Sequence, residues 1–152
     1  MKRLLYLIFI LMVFAACKEV YEAPPQSLLQ ASVLNSETDK AISPRISVIG
    51  FGLDSLWIDQ TELSSFLLPL SAGDTTVFLI SFDENIDTLT FFHETTQKYA
   101  SMETGFYFEY NLDSIGFTHT RIDSIRITDS LITTKWNENI KLYIRPLPAG
   151  GN

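Results

Sequence analysis

After its first sixteen residues the chain has no stretch with a convincing helical period. It runs instead as short apolar or alternating segments, rich in β-branched and aromatic residues and separated by turn residues. Strands are expected at Leu28–Leu34, Arg45–Phe51, Ser55–Ile58, Phe66–Leu70, Thr76–Phe82, Thr88–Glu94, Phe106–Leu112, Ile122–Thr128 and Ile140–Arg145. Eight or nine strands at this spacing predict an all-β fold, an antiparallel β-sandwich of immunoglobulin-like or similar type. Ser71-Ala72-Gly73-Asp74 and Asp83-Glu84-Asn85 are expected to close hairpins, and Asn137-Glu138-Asn139 to lead into the last strand.

Alternation assigns faces. Ile140, Leu142 and Ile144 share one side of the last strand, and Lys141, Tyr143 and Arg145 the other. Phe106, Phe108 and Tyr110 share a side, opposite Tyr107 and Glu109. The run from Val77 to Phe82 is apolar on both sides until Ser81, which predicts a central strand or a covered outer face. Leu89 and Phe91 oppose Phe92, again predicting two covered faces. Pro69 donates no ladder hydrogen bond, so its strand should be an edge or carry a bulge. Ser36 to Ser43 reads as an exposed loop.

The first residues carry an address. Met1-Lys2-Arg3 is a short positive region, Leu4 to Phe14 is unbroken and apolar, and Ala15-Ala16 precede the only cysteine, Cys17. Thirteen residues from Leu4 to Ala16 would span about 20 Å as a helix, short of the roughly 30 Å of a bilayer's hydrocarbon. The order is that of a secretory signal peptide. Phe14-Ala15-Ala16-Cys17 resembles the box of bacterial lipoproteins, with Phe14 in place of the usual aliphatic residue. That resemblance implies cleavage before Cys17 and a diacylglycerol thioether on its sulfur, an anchor to the membrane. The expected organisation is a signal peptide over 1–16, a lipidated tether over 17–26, a β-sandwich domain over 27–145 and a flexible tail over 146–152. Lys18 is not the Asp that commonly retains lipoproteins in the inner membrane of enterobacteria. Lysine followed by Glu19 and Glu22 looks like the surface-export signal of Bacteroidota lipoproteins. Outer-membrane anchoring is therefore expected, with the periplasmic or surface face left open.

Composition narrows the partners. The chain has 152 residues, of which 136 remain from Cys17 onward. Without Lys2 and Arg3, nine basic residues face eighteen acidic ones, a net charge of −9. The acids are scattered. Nucleic acid requires a concentrated positive field and is not an expected partner, and anionic lipid is disfavoured as a direct adsorbent. A single cysteine at the anchor precludes an internal disulfide, leaving the apolar core to hold the fold.

Catalytic and metal motifs are sparse, and no cofactor is expected. His93 and His119 are the only histidines, with no HExxH or His-x-His arrangement. His93, on the face of Leu89 and Phe91, is expected at the rim of the core. Asp83-Glu84-Asn85 with Asp87 do not follow the EF-hand spacing and read as turn chemistry; Asp54 and Asp59 are uninformative. Ser124 has no nucleophile elbow and no nearby base. Paired carboxylates that meet only in the fold stay open. Aromatics are the better contact candidates: Trp57, Trp136, Tyr107 and Tyr143, with Tyr99, fall in or beside strands, several of them at outward positions.

A set of segments also carries a resemblance. Phe66-Leu67-Leu68-Pro69-Leu70 precedes Thr76-Val77-Phe78-Leu79-Ile80. Asp87-Thr88-Leu89-Thr90-Phe91, Thr104-Gly105-Phe106, Ile122-Asp123-Ser124-Ile125 and Asn139 to Ile144 follow in order. The series resembles a domain family of unknown function found in small Bacteroidota lipoproteins, over roughly Gln26 to Ile144. Relatives often have Cys-Gly where this chain has Thr104-Gly105, and a second cysteine near the N-terminus, so a family disulfide is missing here. The resemblance implies an envelope lipoprotein with a β domain and no catalytic residues to carry over. The expected function is a non-enzymatic, lipid-anchored binding or structural component of the cell envelope, with an envelope protein as a possible partner. The alternatives are a glycan- or small-ligand-binding accessory lipoprotein, and an enzyme whose site assembles only in the fold.

Overall fold

A computed structural model describes residues 25–147. The leader, Cys17 and most of the tether and tail fall outside that range. The described residues form ten strands and no helix: β1 Leu28–Asn35, β2 Arg45–Gly50, β3 Leu56–Glu62, β4 Ser65–Pro69, β5 Thr75–Phe82, β6 Asn85–Ser101, β7 Gly105–Phe117, β8 Ile122–Ile127, β9 Leu131–Ile132 and β10 Glu138–Ile144. They build two sheets, β4-β1-β10-β8 and β3-β2-β5-β6-β7-β9. The all-β sandwich read from the sequence is what forms. All pairings are antiparallel except β1 with β10, which run parallel.

The inward faces follow the alternation. Leu29, Ala31 and Val33 of β1 and Ile140, Leu142 and Ile144 of β10 meet Ile46, Val48, Ile80, Phe82, Leu89 and Phe91 of the other sheet, all fully buried in one core cluster. Burying an aliphatic or phenyl side chain of this size stabilises by about 1.5–3 kcal/mol. The strand of Pro69 is the edge strand β4, and β5 is interior, between β2 and β6. Residues 83 and 84 form a two-residue hairpin turn, because Phe82 pairs with Asn85 and both turn residues have positive φ, 49° and 90°.

Two expectations need correction. Ser71–Asp74 does not close a hairpin: β4 and β5 lie in different sheets, so the segment arches across the core. Phe66 and Leu68 enter the core from one sheet and Phe78 and Ile80 from the other, a pattern that alternation alone cannot tell from a hairpin. Phe92 does not have a covered outer face; it is 43% exposed and lies over Gly116 on the neighbouring strand. Phe106 and Tyr110 share a strand face but not an environment, at 59% and 7% exposed, because β7 leaves the sandwich between them.

That departure is the main irregularity of the fold. β5 reaches β6 only as far as Phe92, and β9 touches β7 only at Tyr110 and Asn111. Beyond those points β6 and β7 pair with each other alone, from Thr96 with Glu109 to Ser101 with Gly105. The result is a two-stranded arm closed by a turn in which Gly105 takes a φ of 77°.

Candidate functional site

The candidate site is built around Trp57 at the start of β3. Register shifts interrupt the β2–β3 ladder and Gln60 has a φ of 39°, so β3 is an irregular edge strand. Trp57 reaches from it to the facing sheet, where its Nε1–H donates to the Leu67 carbonyl of β4 at 2.7 Å. Trp136, just before β10, donates its Nε1–H to the Gln26 carbonyl at 3.1 Å. Each indole thus spends its one polar group on backbone, and the rest of each ring stays about half exposed, at 50% and 56%.

Both rings line a groove of about 650 Å³ with Gln30, Ser65 and Leu67. Trp57 also lines a second groove, of about 310 Å³, with Pro25, Phe106 and Tyr107. Of the five aromatics singled out from the sequence, Trp57 lines both grooves, Trp136 the first and Tyr107 the second. Tyr143 lines neither: it lies in β10 between Leu34 of β1 and Ser124 of β8, outside both grooves. Phe106, which alternation sets on one side with Phe108 and Tyr110, also lines the second groove. Its signal was the adjacent Thr104-Gly105, a turn that marks a hairpin tip.

His93 is buried, as a rim histidine should be, and is fully engaged. Its Nε2 is 2.9 Å from the Thr76 hydroxyl and its Nδ1 3.2 Å from that of Thr95. Its ring packs edge-on to Tyr110, with centroids 5.2 Å apart. Burial pushes its pKa down, against the opposing pull of the Asp74 and Asp113 charges. No carboxylate bonds its Nδ1, so the Thr76–His93 pair lacks the orienting acid of a nucleophilic triad. The imidazole instead ties β6 to the start of β5. His119 lies beyond the Leu89–Phe117 pair at the far end of β7, stacked edge-on against Phe117, and the two histidines do not meet.

The acidic turn is spent on structure. Asp83 accepts from the Arg45 amide at 2.9 Å and from the Arg121 guanidinium at 3.1 Å. Asp87, 1% exposed, accepts from the Thr118 hydroxyl and from the amides of Thr120, Arg121 and Ile122, at 2.7 to 3.0 Å. Among the described residues no group of three or more His, Cys, Asp or Glu side chains could hold a metal ion. A polar cleft of about 280 Å³ on the outer face of the larger sheet, between Arg45, Gln60 and Glu62, has no aromatic lining.

Residues 45–144 match a family of unknown function (DUF6452). The chain belongs to that family. The match begins at β2, so β1 lies outside it although β1 is an interior strand of the smaller sheet. No curated protein and no solved structure matches the chain.

Proposed function

We propose that this protein is a non-enzymatic lipoprotein of a Bacteroidota outer membrane, anchored through lipid on Cys17, whose sandwich binds a glycan-class ligand in the Trp57–Trp136 groove. The anchor is supported by the order of positive residues, apolar run, small pair and single cysteine in the leader. The observation that carries the binding role is the state of the two indoles. Their N–H groups are already bonded to carbonyls, yet half of each ring is left bare in one groove. Gln30 and Ser65 set hydrogen-bonding groups beside those apolar surfaces, the mixture that a sugar ring, apolar on its face and polar at its rim, is suited to.

The test is a glycan array probed with the tagged mature protein, alongside a pull-down from detergent-solubilised envelopes. Array hits that disappear in both Trp57→Ala and Trp136→Ala support the proposal. A protein recovered in the pull-down with no array hit assigns the groove to an envelope protein partner instead. Hits unchanged in both variants place the ligand elsewhere and overturn the groove assignment. For the anchor, Cys17→Ser should abolish labelling by radioactive palmitate; equal labelling of both forms refutes it.

A further inference from the structure

Thirteen large apolar side chains stand exposed among the described residues, and all but Ile86 and Leu147 lie toward one end of the sandwich. It is the end where β1 begins, where β2 turns into β3, and where the β6–β7 arm projects. Met102 at the arm's tip is 95% exposed, and Tyr99 and Phe106 beside it are 58% and 59% exposed. The latter two rings touch each other edge-on at 5.4 Å rather than entering a core. Phe51 and Leu53 of the β2–β3 turn, 72% and 62% exposed, add to the same end. The opposite end holds the polar loop around Thr38 and the Asp83-Glu84 turn.

We propose that the tip of the arm, Tyr99, Met102 and Phe106, seats in the headgroup layer of the membrane to which Cys17 is anchored, and so fixes the domain's orientation on that membrane. The inference rests on the lipoprotein reading above and adds a contact that the reading does not require. Chain length selects the lipid surface as the occupant. Pro25 lies in the groove that Phe106 lines, and it follows Cys17 by eight residues. Eight residues reach at most about 28 Å when fully extended. The strands themselves run about 26 Å from end to end, so the tether holds the apolar end near the bilayer and leaves the polar end almost no slack to reach it.

Side-chain chemistry agrees. Tyr, Trp and Phe with a flexible Met suit an interface that is apolar below and wet above. Glu103 at the tip and Glu109, paired with Lys98 at 3.8 Å, give no net attraction to anionic lipid, so apolar burial carries the contact. A lone two-stranded ribbon gains little stability in water, and seating its tip supplies burial that its own sheet does not.

The experiment uses the lipidated protein in vesicles of phosphatidylcholine and phosphatidylethanolamine, with a fluorophore placed at Met102→Cys or Thr38→Cys, both exposed turn positions. Lipids carrying a quencher at the headgroup report proximity. Most of the fluorescence should be lost at position 102 and almost none at position 38. Intact mass, read in parallel, shows the lipid on Cys17. A lipidated protein whose position-102 label is no more quenched than position 38 overturns the seating while leaving the anchor intact. A protein without lipid on Cys17 overturns both. A particle of twice the mass with position 102 shielded from lipid makes the arm a contact between copies, and the proposal fails.

Discussion

Asp87 shows how much a single carboxylate can fix. It is buried without a cation beside it, since the Arg121 guanidinium turns to Asp83. Burial alone would raise its pKa from 3.8, but the Thr118 hydroxyl and the Arg121, Thr120 and Ile122 amides outweigh that and hold it below. A folded-state pKa below the unfolded one contributes stability that is complete above about pH 4 and lost as pH falls through the folded value. Asp87→Ala leaves several buried donors unpaired, and urea titration should show a loss of about 1–3 kcal/mol with the acid transition moved to higher pH. His93 acts in a separate window. Its folded pKa also lies below the unfolded 6.5, so the unfolded chain takes up the proton first, and stability declines as pH falls from about 6.5 through the folded value. His93→Gln, which can still reach a threonine hydroxyl, should flatten the profile between pH 7 and 5; a decline as steep as in the parent chain would assign that window to another group. Neither role was legible beforehand, because the donors to Asp87 and the Thr76 partner of His93 lie 17 or more residues away in sequence. The rim position of His93 was legible, from its shared face with Leu89 and Phe91. So was the outward placement of Trp57 and Trp136, which the fold leaves about half exposed.

At the scale of elements, the strands were legible because their inward residues alternate, and the misses have physical causes. β9 is two residues long and pairs at Tyr110 and Asn111 only, too short for any period to register. β6 extends well past the expected Glu94 because the arm pairs without a core, so its residues show none of the burial pattern that marks a strand, whereas β7 runs past the expected Leu112 to Phe117 within the larger sheet, opposite Leu89 to Phe92. The start of β10 contains a buried amide, Asn139. Its Oδ1 accepts from the Gln30 amide at 3.0 Å, and its Nδ2 donates to the carbonyls of Asp129 and Leu131 at 3.1 and 2.9 Å. That amide closes the register shift between β1 and β10 and looks in sequence like turn punctuation. The β5–β6 hairpin carries a testable weakness. Asp tolerates positive φ, but Glu84 at 90° gains nothing there and pays the steric cost of its Cβ. Glu84→Gly should stabilise the protein by about 1 kcal/mol, read as a rise in Tm with no change in the denaturant m-value. A fall in Tm would mean that the glutamate side chain contributes more than its backbone conformation costs.

For the whole molecule, the telling feature is how the chain closes. Among the described residues β1 and β10 are the first and last strands, and they pair in parallel at the centre of the smaller sheet, with β4 beyond β1 and β8 beyond β10. Their pairing spans Gln30 with Glu138 to Asn35 with Ile144, contacts that no local pattern announces. The family match from 45 to 144 leaves out β1, yet β1 inserts the fully buried Leu29, Ala31 and Val33 into the core and is the sheet partner through which β4 is held. Without it, β4 loses its ladder, β10 gains an open edge, and Phe66 and Leu68 face a vacated layer. Burial of Leu29 and Val33, at about 1.5–3 kcal/mol each, together with two ladders is comparable with the roughly 5–15 kcal/mol by which a domain of this size is stable. A fragment of residues 45–147 should therefore show no cooperative thermal transition, whereas residues 25–147 should show one. Because the gap left by β1 is a single strand with a defined register, a synthetic peptide of residues 25–36 added to the fragment should restore the transition at a Tm that rises with peptide concentration. A fragment that melts cooperatively alone would instead make the family's matched span a self-sufficient fold, with β1 an accessory strand laid on its edge.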